Sequence, residues 1–74
     1  MVYDYGNLIG RISEVCGTRA AFAKRMGWSE RTVSLKLNNR VPFKQREIQT
    51  AVDVLRLSEE DIQLYFFSLE AQQG

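Results

Sequence analysis

The chain has 74 residues, 45% hydrophobic and 26% charged, with ten Lys and Arg against nine Asp and Glu. That is one domain, 1–74, with a small core, because a domain near this size removes only about 60% of its unfolded surface from water. With no histidine and one cysteine, Cys16, the chain is excluded from His/Cys metal sites, histidine-based catalysis and intrachain disulfides. No cofactor, small-molecule ligand or enzymatic activity is expected. The uncharged stretch Ile62–Leu69 is far below the roughly 20 residues of a spanning helix, and no leader pattern precedes the first helix. The expectation is a cytoplasmic protein without a membrane partner.

The net charge of +1 hides an asymmetry. Residues 18–46 hold eight basic side chains against Glu30 alone, whereas residues 47–74 hold Arg56 against six acidic ones. A basic block of this kind points to a face that attracts polyanions; the same charges scattered evenly over the surface would mean nothing.

In chain order, Leu8, Ile9, Ile12, Val15 and Cys16 recur at helical spacing and predict a first helix stopped by Gly17. Cys16 lies on that stripe and reads as a small buried hydrophobe, since no base accompanies it. Thr18 can N-cap a second, short helix with Phe22, Ala23 and Met26 on one face, ending at Gly27. Ser29 can N-cap a third, with Val33 and Leu37 inward and Asn38-Asn39 at its end. A loop follows from Arg40 to Phe43, where Pro42 forces Val41 out of the helical region. The fourth helix begins at about Lys44 and carries Ile48, Ala51, Val52 and Leu55 at i, i+3, i+4 and i+7. Ser58, with Asp61 three residues on, resembles a capping box and opens a fifth. No strand alternation appears. The predicted fold is all-α, a compact bundle of five short helices.

Residues 18–38 carry a more demanding pattern. Ala23 is small enough for two helix backbones to approach, Gly27 tolerates a left-handed turn, and Phe22, Met26, Trp28 and Val33 can fill the wedge. An ordinary αα-hairpin shares the apolar spacing, but this one falls on the chain's one basic block. Residues 18–43 resemble the helix-turn-helix of the XRE, or lambda repressor-like, family. The run SERTVSLKLNNRVPFKQREIQTAVDVL followed by YFF is similar to small Cro-like phage or prophage regulators. The resemblance implies a sequence-specific, usually dimeric, operator-binding protein. Where that family usually has an apolar residue three positions after Val33, this chain has Lys36. Leu37 is expected to take up the packing, leaving Lys36 along the helix edge with its ammonium near phosphate.

In such a unit the third helix enters the major groove. The expected base-reading positions are Ser29, Glu30, Arg31, Ser34 and Leu35. Arg31 suits a bidentate contact to guanine. Glu30 either accepts from cytosine N4 or is a first-turn charge favoured by the helix dipole. Leu35 either packs on a thymine methyl or contacts the loop before the fourth helix. Phosphate contacts are expected from Arg19, Lys36, Arg40 and Lys44.

The acidic, aromatic segment 58–74 should point away from DNA. If its helix persists, Ile62, Tyr65, Phe66 and Leu69 form one face, with Leu64, Phe67 and Ala71 opposite; alternatively the chain becomes extended after Tyr65 and pairs across a dimer. Either way Leu64, Tyr65, Phe66, Phe67 and Leu69 are expected to dimerise the chain, the alternative being a tail that only folds back. The function read from the sequence is a dimeric, Cro/repressor-like regulator that binds double-stranded operator DNA and acts by promoter occupancy. The alternative is a helical protein-interaction module, an anti-repressor or adaptor, that does not itself read DNA. A titration with random duplex DNA at low salt separates the two.

Overall fold

A computed structural model describes residues 2–70. Among them are five α-helices: α1 Gly6–Cys16, α2 Arg19–Met26, α3 Glu30–Leu37, α4 Gln45–Val54 and α5 Ile62–Phe66, the last preceded by a 3-10 turn at Glu59–Asp61. The all-α expectation holds. α1 packs on α2 and α5, while α2 packs on α3 and α4. Leu8, Ile12, Phe22, Val33, Leu55 and Phe66 are the large side chains at the centre of the resulting core. Cys16 is half-buried and packs against it.

Local chemistry explains most helix ends. The Thr18 hydroxyl accepts from the Ala21 N–H at 3.0 Å, and Ser29 Oγ accepts from the Thr32 N–H at 3.2 Å. Each satisfies one of the N–H groups a helix start leaves without partners. At the C-termini one motif recurs. Gly27 stands at φ +76°, with its N–H on the Lys24 carbonyl and the Trp28 N–H reaching back to Ala23 O at 2.8 Å. Asn39, at φ +60°, closes α3 in the same way through Arg40 N–H to Leu35 O, and Arg56, at φ +55°, closes α4 through Leu57 N–H to Val52 O. All three are Schellman closures, which favour glycine and tolerate asparagine. Arginine in that conformation costs about 1–2 kcal/mol. The Arg11 side chain offsets this by donating to Leu55 O at 2.9 Å and Arg56 O at 3.1 Å, across 44 and 45 residues of sequence.

The C-terminal part differs from both expected arrangements. α5 stops at Phe66, and Ser58 Oγ bonds the Asp61 carboxylate at 3.0 Å without capping a backbone N–H. The chain then extends and pairs with its own N-terminal segment. Asp4 N–H donates to Ser68 O at 2.7 Å, Glu70 N–H donates to Val2 O at 2.9 Å, and Tyr3 faces Leu69 in an antiparallel bridge. The other edge of the N-terminal segment is held by one side chain. Asn39 Oδ1 accepts from Tyr3 N–H and Asn39 Nδ2 donates to Tyr3 O, both at 2.9 Å.

Phe66 is thereby removed from the expected dimerisation set. It is 1% exposed, inside its own chain's core, with its ring 5.3 Å from Phe43. Tyr65 is half-buried and packs on the same core. Leu64, Phe67 and Leu69 stay exposed. Ala71 and the rest of 71–74 lie outside the described residues.

Candidate nucleic-acid interface

α2 packs on α3, and the two helices are joined through the turn at Gly27. Phe22 and Ala23 from α2 and Val33 and Leu37 from α3 are buried at their junction, with the Trp28 ring edge-on to Phe22 at 6.4 Å. Residues advance 100° each around a helix, so burying Val33 and Leu37 fixes what α3 presents outward. Arg31 and Leu35 lie on the far side, and Ser34 is on the flank. Ser29, Glu30 and Arg31 are exposed, while Ser34 and Leu35 are half-buried.

The five residues expected to read bases are thus not equally available. Ser29 Oγ is engaged as the α3 cap and shares a 3.1 Å hydroxyl contact with Thr32. Ser34 Oγ accepts from the Asn38 side-chain amide at 3.3 Å. Arg31 has no such commitment: among the described residues the ion pairs are Arg11–Glu14 and Lys36–Glu47. Glu30 occupies the first turn of α3, where its charge suits the helix dipole. Leu35 contributes its carbonyl to the loop, accepting from Arg40 N–H at 2.8 Å and Val41 N–H at 3.3 Å.

Three of the four side chains expected at phosphates, Arg19, Arg40 and Lys44, are exposed. Arg19 is the first residue of α2 and Lys44 the N-cap of α4, so two of them lie at helix starts, where free N–H groups and the dipole favour an anion.

Lys36 is a correction. It is 3% exposed, and its ammonium donates to Glu47 Oε1 at 2.7 Å and to the Pro42 carbonyl at 3.0 Å. It sits 5.1 Å from the Trp28 ring centroid and 5.7 Å from that of Phe43. A group so enclosed does not reach a phosphate. The position remains part of the packed face, as the apolar residue of the resembling family would, and Leu37 packs beside it without replacing it. On Glu47, burial alone would raise the carboxyl. The hydrogen bonds from the Lys36 ammonium and the Lys44 N–H, with the charges of both lysines, outweigh it and hold the group below its ordinary value.

A second surface adjoins this face. A cavity of about 240 Å³ is lined by Tyr3, Tyr5, Val41, Phe43 and Phe67 among others, and Phe43, Ile48 and Phe67 continue into an open groove toward Ile62. Val41, Phe67, Leu64 and Leu69 are its exposed apolar neighbourhood or lie close in sequence.

Sequence reasoning missed three polar residues. Glu47 had a local signal, a carboxylate three residues after the α4 N-cap that accepts the Lys44 N–H at 2.9 Å. Arg11 and Asn39 act over 36 residues or more, and nothing local marks that reach.

No helix among the described residues is long and apolar enough to cross a membrane, and no curated protein matches the chain. It is similar to the solution structure of the modulator of repression (MOR) of the temperate bacteriophage TP901-1 from Lactococcus lactis. The two share 54% identity over 97% of each chain, with a TM-score of 0.81. Residues 1–69 match the family described as Protein of unknown function (DUF739), and the chain belongs to that family.

Proposed function

We propose that this chain is a regulator in a phage repression circuit that binds operator DNA through α2 and α3, as Cro-like members of the XRE family do. The observation that carries the reading is the outer side of α3. Arg31 stands exposed there and forms no ion pair among the described residues; Arg19, Arg40 and Lys44 are exposed as well, and in residues 18–46 Glu30 is the one acidic side chain. In this reading Arg31 reads a guanine, Leu35 lies toward a thymine methyl, Glu30, Ser34 and Ser29 are secondary readers, and the other three cations set the register on phosphates. The protein acts by occupancy, as a homodimer on DNA. Leu64, Phe67 and Leu69 form its contact, with Tyr65 beside them.

Selection from a random duplex pool supplies the test. Arg31→Ala should cost about 1–3 kcal/mol on the selected site and little on random DNA. Arg40→Ala and Lys44→Ala should weaken both DNAs alike and lower the salt slope by about 0.9 for each phosphate no longer neutralised. Equal weakening of both DNAs by Arg31→Ala refutes the assignment. Light scattering should give a dimeric mass on a duplex with two half-sites about one helical turn apart; a monomer both free and on DNA refutes the dimer.

A second reading has its own support. The exposed apolar surface around Val41 and Phe67 fits a protein contact, and the similar solved structure is a modulator of repression. There the partner is a repressor protein and the helix-turn-helix serves as scaffold. Absence of affinity for any duplex at low salt selects this reading over the first.

A further inference from the structure

The loop between α3 and α4 carries Arg40 and begins α4 at Lys44, and one buried ammonium group holds it. Lys36 lies on the packed side of α3 between Val33 and Leu37. Its Nζ bonds the Pro42 carbonyl inside the loop and the Glu47 carboxylate beyond it, and the same Glu47 oxygen accepts the Lys44 N–H. Two points of the 42–47 segment are therefore tied to a single atom of α3. The rings of Trp28 and Phe43 lie against that atom and keep water away.

Packing does not call for a cation here. Val33 and Leu37 already bury this side of α3, and an apolar side chain would fill the space between the rings without any desolvation cost. A buried ion pair adds little net stability over a well-packed apolar replacement. What an ammonium adds is direction, because its donors must meet acceptors on two separate stretches of chain.

We propose that Lys36 is a positioning residue: through Pro42 and Glu47 it sets Arg40 and Lys44 at the spacing that α3 requires of neighbouring phosphates, and so governs DNA affinity without touching DNA. The inference rests on the DNA-binding reading, which gives those two cations their role. It reverses the order expected from charge alone, in which Lys36 is itself a phosphate ligand. The tie lies on the side of α3 away from Arg31. Loosening it changes the shared electrostatic part of binding and leaves base choice intact.

The test is a thermodynamic cycle. Lys36→Met keeps the length and apolar bulk of the side chain and removes the ammonium. It is combined with Arg40→Ala/Lys44→Ala, and affinities for the selected and a random duplex are measured against salt. Lys36→Met should lower the urea midpoint, because it leaves the Glu47 carboxylate without its cation, and should weaken both duplexes by a similar factor and lower the salt slope by up to about 1.8, the equivalent of two phosphates no longer neutralised. Removing Arg40 and Lys44 should then weaken binding by a much smaller factor in the Lys36→Met background than in wild type. Equal factors in both backgrounds, or an unchanged salt slope in Lys36→Met, overturn the proposal.

Should Lys36→Met not fold, Glu47→Gln takes its place. It removes the charge from the tie, keeps a carbonyl acceptor, and should show the same non-additivity to a lesser degree. Amide exchange of Val41 and Lys44, measured without DNA, keeps the two layers apart. If wild type binds no duplex, the DNA reading fails. Faster exchange at these amides in the variant would still establish the tie, and unchanged exchange would overturn it separately.

Discussion

Adjacent phenylalanines provide the sharpest test of how the C-terminal segment is built. Phe66 is 1% exposed and meets Phe43 edge-on at 5.3 Å, whereas Phe67 is 38% exposed and meets Tyr3 edge-on at 5.9 Å. Phe66→Ala empties a closed position, and substitutions of that kind cost about 3–5 kcal/mol. A chain of this length has a total stability of about 4–11 kcal/mol, so the variant should lose at least about a quarter of its stability and up to all of it. Phe67→Ala leaves no enclosed void and forfeits chiefly one aromatic pair, about 0.5–1.5 kcal/mol. Urea unfolding followed by Trp28 fluorescence and far-ultraviolet dichroism measures both. The two variants should be separated by at least about 1.5 kcal/mol, the gap between those ranges. Equal midpoint shifts would refute the register of α5. So would a Phe66→Ala protein of wild-type stability whose only change is in oligomeric mass, because Phe66 would then belong to an interface and not to the core.

Two further substitutions test the helix crossing and the ion pair. Ala23→Glu places a charge where α2 and α3 approach and should cost several kcal/mol, while Lys24→Glu, on an exposed position, should leave the thermal midpoint nearly unchanged; similar midpoints would contradict the packing. The Glu47 carboxyl is held below its ordinary value of 4.5, so its contribution to stability is fully present above that pH and is lost as pH falls through the lower, folded-state value. Unfolding free energy measured from about pH 6 to about pH 2 should fall less steeply in Glu47→Gln than in wild type, and parallel curves would count against the pair.

The features legible in the sequence are those whose causes lie within a few residues. Thr18 and Ser29 cap the helices they precede, Gly27 and Asn39 take the left-handed conformation that ends α2 and α3, and Val33 with Leu37 orients α3. Each follows from the preferences of one residue and its helical period. The burial of Lys36 is not legible, because a lysine in a basic block reads as exposed, and only the fold brings Trp28, Phe43 and Glu47 around it. Phe66 and Phe67 cannot be told apart while the length of α5 is open. Both faces of a longer helix would be apolar, and the choice is made by the chain turning extended to meet residues 2–4.

That return of the chain ties the candidate interface to the termini. Asn39 ends α3 through its backbone while its side chain holds Tyr3, and Tyr3 meets Phe67 edge-on and faces Leu69. One residue thus belongs both to the proposed DNA-binding unit and to the support of the exposed apolar surface. Glycine would satisfy the turn at position 39 equally well, but it has no amide to bond Tyr3. Asparagine meets both requirements at once. In so small a core, fastening a terminal segment with two hydrogen bonds substitutes for burying more of it. The Asn39 amide therefore joins the C-terminal turn of α3 to the paired terminal segments that carry Tyr3 and Leu69.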